Sequence, residues 1–210
     1  MRLPKPSESG SFELTPAGTF LATCYRFIDR GTHTSEYMGD KKIRREVMLS
    51  WELDGELMAD GRPFSASKTY TWSMHEKATL RKDLESWRGK AFVDEDFDGP
   101  TAFNVKKLIG VSCMMTITHE TRDGKTFAKV ASIGKLMRGM TPPALINKPV
   151  YLALTPDEWD AEAYGTLSDK MKIIISESPE YKEIMAKGHR SDDPGNGHYT
   201  GDAPDDDIPF

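Results

Sequence analysis

The order in which the apolar pattern changes along the chain is the strongest constraint on its fold. Residues 43–53 and 64–73 alternate apolar and polar side chains, which is the period-two pattern of half-buried strands. The apolar spacing then becomes helical over residues 74–88, with a Ser-x-x-Glu capping box at 73–76 and Gly89 at the end. The pattern therefore predicts two strands followed by a helix.

Further strands are predicted on both sides of this helix. A first strand over residues 18–29 carries apolar residues on both faces, as a long, bulged strand does, and a polar loop at 30–42 follows it. Two strands at 111–118 and 125–133 come after the helix. They are joined by Asp123-Gly124, which is a signal for a tight hairpin turn.

Three strands, a helix and two strands, in that order, are typical of the OB-fold, a small barrel. We therefore expect a mainly β (α+β) protein with a five-stranded OB-fold barrel over residues 12–140, its helix lying between strands 3 and 4. Short helical patterns that begin near Thr155, Ser168 and Ser178 predict a small helical extension over residues 141–187.

The last segment, residues 188–210, is rich in Gly, Pro and Asp and has almost nothing apolar to bury. Such a composition predicts a disordered acidic tail. Six Asp and no Lys or Arg follow Arg190, so the net charge of −5 leaves the rest of the chain at about +1. The acidity of the whole chain is therefore no argument against a nucleic-acid partner.

The chain ends on three carboxylates and an apolar group closed by an aromatic residue with its own carboxylate. These residues are Asp205, Asp206, Asp207, Ile208, Pro209 and Phe210. This ending resembles the acidic tip of bacterial single-stranded DNA-binding proteins, which recruits replication and repair enzymes. The resemblance implies that Ile208 and Phe210 fill an apolar pocket on a partner, while basic side chains take the carboxylates.

The body of the chain resembles a family of OB-fold single-stranded DNA-binding proteins encoded by tailed bacteriophages. Residues 64–89, 123–128 and 178–181 carry this resemblance, which extends diffusely over 12–185 and sharply over 205–210. It implies a protein that coats and protects single-stranded DNA during replication, recombination and repair in the host cytoplasm. Its partners would be DNA and, through the tip, host or phage replication and recombination proteins.

Binding single strands without sequence preference requires rings that stack on bases and cations that follow the phosphates. The predicted strands 1–3 and the hairpin supply both. Candidate cations are Arg26, Lys41, Lys42, Arg44, Arg45, Lys68, Lys125 and Lys129, and candidate rings are Tyr25, Tyr37, Tyr70, Trp72 and Phe127. The cluster at 41–45 is the strongest basic signal. Trp72 and Phe127 fit either the core or a DNA surface.

Motifs for catalysis are weak, so we expect neither an enzyme nor a cofactor. His75-Glu76 resembles the start of a zinc-protease helix motif, but the position of its second His is Thr79. Cys24 and Cys113 give neither a disulfide framework nor a zinc site. Carboxylates in the loops leave a metal-dependent nuclease open as an alternative. No apolar run has membrane-spanning length, which predicts a soluble, cytoplasmic protein without a membrane partner.

Two other functions fit the same sequence. One is a recombination mediator that loads or anneals strands. The other is an adaptor that uses the tip to sequester host proteins without binding DNA itself. The sequence leaves the oligomeric state open, and a homo-oligomer is possible.

Overall fold

The alternating segments form a β-sheet, as predicted. A computed structural model describes the chain over residues 13–37, 39–99, 102–141 and 144–191, with backbone alone at residues 37 and 188–191. In chain order the elements are β1 (Gly18–Tyr37), β2 (Asp40–Leu57), β3 (Pro63–Thr71), α1 (Thr79–Arg88), short 3-10 helices at Asp94–Asp96 and Val105–Leu108, β4 (Ser112–Arg122), β5 (Lys125–Lys135), β6 (Val150–Leu152), α2 (Ala161–Gly165), α3 (Asp169–Ser176) and α4 (Pro179–Ser191).

The sheet has the order β3-β2-β1-β4-β5, and all neighbours on this path are antiparallel. A sixth strand, β6, pairs in parallel with residues 26–28 of β1. In the described strands, β3 and β5 form no ladder with each other, so the sheet is not closed into a barrel. The mainly β prediction is confirmed, whereas a closed five-stranded barrel is not formed.

β1 is longer than predicted and has two bulges, between Cys24 and Arg26 and between Asp29 and Gly31. Bulges bend a strand, so the two parts of β1 pair with different neighbours, β4 at residues 18–23 and β6 at 26–28. The polar loop predicted at 30–42 is wrong, because β1 and β2 continue as a paired hairpin as far as Tyr37 and Asp40.

We call residues 33–44 of this hairpin the arm, and residues 29–32 with 45–46 the arm root. Ile43 was expected on the core face of β2, but 73% of its surface is exposed because it lies on the arm, opposite Thr34. The core face begins at Val47, where β2 pairs with β3 as well as with β1.

The main core lies between the sheet and α1. Leu80, Leu84 and Trp87 are the buried face of the helix, and the Trp87 ring packs 5.8 Å from that of Trp51. The helix begins at Thr79 rather than at Met74, and Ala78 precedes it without a side-chain cap. The predicted capping box is therefore wrong, because Ser73 Oγ accepts instead from the His75 N–H, within a turn that precedes the helix. Gly89 ends α1 in the left-handed conformation, as predicted.

The predicted C-terminal helices are present as α2, α3 and α4, and Ser168 caps α3 by accepting from the Met171 N–H. They cover the other face of β1 through a second apolar cluster centred on Ile28 and Ile175. The same part of the chain also supplies β6, which was not predicted. No described helix combines the length and the apolarity needed to cross a membrane. The tail was predicted to begin at residue 188, but the backbone of residues 188–191 continues α4. The rest of the tail, including the tip, lies outside the described residues.

Candidate nucleic-acid interface

An open cleft runs between β3 and the β4–β5 hairpin, where the sheet is not closed. Two adjoining cavities of about 820 and 850 Å³ form it, and we call them together the seam cleft. Ser67 lies on the β3 side, and Lys125 and Phe127 lie on the β5 side of both cavities. The cleft therefore lies between residues 65–69 of β3 and residues 125–130 of β5.

The hairpin turn places Lys125 and Phe127 on the cleft. Asp123 and Gly124 have φ angles of 49° and 73°, the left-handed pair that a two-residue type I′ turn requires, so the predicted turn is confirmed. β5 starts directly after the turn, and the Phe127 ring is 52% exposed. An exposed ring on a short hairpin is available for stacking without any cost to the core.

Tyr25 and Arg26 lie at the bulge in β1 and line the inner end of the cleft. The Arg26 guanidinium lies 5.1 Å from the centre of the Tyr25 ring, and Tyr25 is buried. The buried Nε of Arg26 has no hydrogen-bond partner among the described residues. Arg26 as a whole is only half-buried, so its positive charge is near enough to the cleft to attract an anionic ligand.

The arm presents the predicted basic residues to solvent. Lys41, Lys42 and Arg44 are exposed, and Lys42 and Arg44 share one face of β2 by the period of the strand. Lys41 has only a distant ion pair, 4.0 Å from Glu36, in which both side chains are largely exposed. Tyr37 pairs with Asp40 through its backbone, and its side chain is not described.

Arg45 does not belong to this exposed cluster. Its guanidinium binds the Asp29 carboxylate, whose side chain is 5% exposed, and the hydrogen bond to Asp29 raises the pKa of Arg45. Asp29 also accepts from the backbone N–H groups of Gly31 and Leu154. Arg45 therefore serves the fold at the arm root.

Lys68 and Tyr70 are both held by α1, although Lys68 also lines one of the two cavities of the seam cleft. Lys68 Nζ and the Tyr70 hydroxyl both donate to Asp83 of α1, at 2.6 and 2.9 Å. Tyr70 is 3% exposed, and its burial raises the pKa of its hydroxyl above the ordinary value. Its ring packs in the core, so we leave both residues out of the proposed surface.

The remaining predicted residues lie apart from one another. Lys129, on the outer part of the cleft, is paired with Glu120 at 3.0 Å. Trp72 is 40% exposed, but it lies edge-on to Phe27 beside the arm root and is not among the residues that line the seam cleft. The structure thus brings Tyr25, Arg26, Lys125 and Phe127 together, with Lys129 nearby, and places the arm cations and Trp72 elsewhere.

Sequence reasoning missed Asp29 and Glu180, which hold the arm root. Glu180 of α4 accepts from both the backbone N–H and the hydroxyl of Thr32. One signal for Asp29 was present, because an acidic residue at the end of an apolar strand needs a cationic partner if it is buried. Nothing local marked Glu180, whose partner lies 148 residues away.

Chemistry of other kinds has little support in the described residues. No group of three or more His, Cys, Asp or Glu within them is placed to hold a metal ion. Burial raises the pKa of the Cys24 and Cys113 thiols to about 12, so neither is a thiolate at neutral pH. In comparisons with known proteins, no family model matches the chain, and no curated protein matches it either.

Proposed function

We propose that the protein binds single-stranded DNA through the seam cleft and the arm, and coats it without requiring a particular sequence during replication, recombination and repair. The observation that carries the proposal is that an exposed Phe127 ring and the half-buried cation of Arg26 line the same open cleft. A ring stacks on a base and a cation holds a phosphate, which are the two needs of a single-strand binder.

We also propose that the sheet is an open variant of the OB-fold. Its strand order and the position of α1 between β3 and β4 support this assignment. In that fold the loops between strands 1 and 2 and between strands 4 and 5 flank the ligand. Here those connections are the arm and the Asp123-Gly124 turn, which carry the exposed cations and lead to Phe127.

The first test measures the affinity of the full chain for oligo-dT at several salt concentrations. Affinity should fall steeply as salt rises, because bound cations release counterions from the strand. Replacing Lys41, Lys42 and Arg44 together with Ala should weaken binding and flatten the salt slope by roughly one unit per lost phosphate contact. The matched control replaces Lys170, Lys182 and Lys187 of the C-terminal helices, which removes the same charge.

Two outcomes contradict the electrostatic part of the proposal. One is tight binding that ignores salt. The other is an equal loss of affinity in the arm variant and in the helix variant, because that would reflect net charge alone.

The stacking part is tested by Phe127→Ala. The loss should be about 1–3 kcal/mol of binding free energy, the usual contribution of a base stacked on an aromatic ring. Phe97→Ala is the control, since Phe97 is also a partly exposed ring, 42% against 52% for Phe127, but lies beside Phe92 away from the cleft. Equal affinities for the two variants would remove the seam cleft from the proposal.

The tip at residues 205–210 supports a second activity of the same protein, recruitment of replication and recombination proteins in a bacterial cytoplasm. Phe210→Ala should abolish capture of such proteins from a bacterial lysate and leave DNA binding intact, because a buried ring supplies much of a small interface. If the Phe210→Ala variant captures the same proteins as the unchanged chain, the recruitment proposal fails.

The same assays distinguish the two alternative functions, an adaptor and a recombination mediator. An adaptor without DNA binding would retain capture through the tip and show no shift of labelled oligonucleotides in a gel. A recombination mediator would bind DNA and also accelerate the pairing of complementary strands.

A further inference from the structure

Apart from the seam cleft, a cavity lies beside the arm root, where Trp72 follows the end of β3. Its volume is about 440 Å³, within the range of small-ligand sites, and we call it the Trp72 pocket. Four aromatic rings contribute to its wall, and they belong to Phe27, Trp72, Phe103 and Tyr151. Phe27 and Tyr151 are stacked at 5.4 Å, and Trp72 lies edge-on to Phe27 at 6.0 Å. Such walls suit a flat ring.

The pocket also contains polar atoms that are not fully used. Thr155 lines it, and its buried hydroxyl has no hydrogen-bond partner among the described residues. Among the described residues, the Glu158 carboxylate accepts only from the Tyr151 hydroxyl, which lies at a long 3.4 Å from each carboxylate oxygen. Burial and the nearby Glu158 raise the pKa of Tyr151 to about 12, so this hydroxyl remains a donor and does not compete as an anion. Glu158 therefore retains acceptor capacity for a ligand.

The lining of the pocket carries charges of both signs, because Asp29 is paired with Arg45 and Glu158 adds a second carboxylate. The Arg45 guanidinium is already part of the wall, and Lys106 Nζ lies 5.2 Å from the centre of the Tyr151 ring. The backbone N–H of Trp72 donates to the backbone carbonyl of Arg45 at 2.7 Å, so the pocket is connected to the arm root. A strand that follows Lys42 and Arg44 thus reaches the pocket from the arm.

We propose that the Trp72 pocket takes a single nucleobase from a bound DNA strand and prefers cytosine over thymine, because Glu158 accepts a hydrogen bond from an amino group that thymine lacks. A carboxylate that accepts from cytosine N4 is a known base-edge contact. The inference rests on the proposed function and adds to it a modest base preference with its own residue.

The test compares oligo-dC with oligo-dT of equal length at one salt concentration. Affinity for oligo-dC should be about fivefold higher, the lower end of the discrimination given by a good base-edge contact. Glu158→Gln should remove most of the difference, since an amide supplies a donor as well as an acceptor. Glu162→Gln is the control. It removes the same charge from an exposed residue paired with Lys148 that is not among those lining the pocket.

Equal affinities of the unchanged protein for the two oligonucleotides would overturn the proposal, and so would a preference that survives Glu158→Gln. Loss of the preference in Glu162→Gln as well would assign it to charge rather than to the pocket, which is a third overturning result.

A second measurement separates failure of the pocket from failure of the proposed function. Trp51 and Trp87 are buried, whereas Trp72 is partly exposed. In a Trp159→Phe variant, a change in tryptophan fluorescence on adding a ligand therefore reports mainly on Trp72. If no oligonucleotide binds, the proposed function fails, and titration with dCMP and dTMP still tests the pocket. A stronger response to dCMP supports it. No response to either nucleotide, or a response to a quaternary ammonium ion instead, overturns it.

Discussion

Arg44 and Arg45 are neighbours in β2, yet they belong to two regions with opposite roles. Arg44 lies on the arm and is exposed, whereas Arg45 lies at the arm root and holds the buried carboxylate of Asp29. The residue type and the sequence neighbourhood are almost the same. Their positions on the hairpin differ. Arg44 lies opposite His33 of β1, whereas Arg45 lies opposite Thr32, close to the bulge between Asp29 and Gly31. A basic cluster in a sequence therefore shows how many cations are present, whereas the fold determines which of them can bind a ligand.

The comparison is tested most strongly by Arg45→Ala. Removing Arg45 leaves an uncompensated charge on the buried Asp29. Because the Arg45 side chain is 32% exposed, we expect a loss of about 3 kcal/mol in the free energy of unfolding, the lower end of the range for buried pairs. Arg44→Ala should change it by less than about 0.5 kcal/mol, as exposed substitutions usually do. Urea denaturation of the two variants measures both values.

A rescue variant shows whether the charge on Asp29 is the cause. Asp29→Asn added to Arg45→Ala removes the unpaired charge and keeps one of the two backbone contacts, because the Gly31 and Leu154 N–H groups bind different oxygens of Asp29 and Asn has a single acceptor oxygen. The double variant should therefore be more stable than Arg45→Ala alone. A double variant that is less stable than the single one would show that the pair is not the reason for the loss.

Helix α4 also stabilises the arm root, through Glu180. Glu180 receives two hydrogen bonds from Thr32, so Glu180→Ala should cost about 1–3 kcal/mol, the range for hydrogen bonds to a charged group. Close packing supports this contact, because a Cβ at Gly31, whose φ is 82°, would lie 2.3 Å from the Cβ of Ser178. Urea denaturation at neutral pH checks the effect, with Glu183→Gln on the exposed side of α4 as the control.

The contribution of Glu180 should also depend on pH. Burial alone would raise its pKa, but the two hydrogen bonds from Thr32 outweigh burial and lower the pKa below the ordinary value of 4.5. A lowered pKa in the folded state stabilises the protein above pH 4.5 and loses this contribution as the pH falls through the folded value. The stability difference between the unchanged chain and Glu180→Gln should therefore shrink below pH 4.5. A difference that grows in acid would contradict the assignment.

The parts of the fold with an apolar face could be predicted from the sequence. Residues 47–53 of β2 alternate because one face packs on α1, and this pattern is visible without a structure. The arm could not be predicted in this way. It is held by its backbone ladder and has no core to bury, so Thr34, Ser35 and Glu36 are polar like the residues of a loop. The prediction of a closed barrel was wrong, because the order of the elements in the sequence does not show whether β3 and β5 pair.

The candidate site divides along the same line. The exposure of Lys41, Lys42 and Arg44 could be predicted from their charge, since Lys and Arg side chains are rarely buried unless they are paired. The hydrogen bonds of Lys68 and Tyr70 could not be predicted, because their acceptor, Asp83, belongs to a helix that packs against the strand. The Trp72 pocket was also hidden, as its rings come from residues spread between Phe27 and Tyr151. Tertiary pairing, and not local composition, determines these roles.

The smallest expected effect comes from the arm itself. Glu36 and Lys41 are 59% and 72% exposed and 4.0 Å apart, so their ion pair should contribute almost nothing to stability. Glu36→Gln should therefore leave the free energy of unfolding within about 0.5 kcal/mol of the unchanged chain. The same change removes a negative charge that competes with DNA phosphate for Lys41. We expect about twofold tighter binding of oligo-dT at low salt, fading as salt screens the charges.

Asp54→Asn is the matched control for this last change, because Asp54 is an exposed carboxylate near the other end of β2. If Asp54→Asn tightens binding as much as Glu36→Gln, the gain comes from net charge and the arm has no special place in the DNA path. If Glu36→Gln alone tightens binding while stability is unchanged, the arm differs from its root in the way the two arginines suggest. Charges on the arm then act on the ligand, and charges at the root act on the fold.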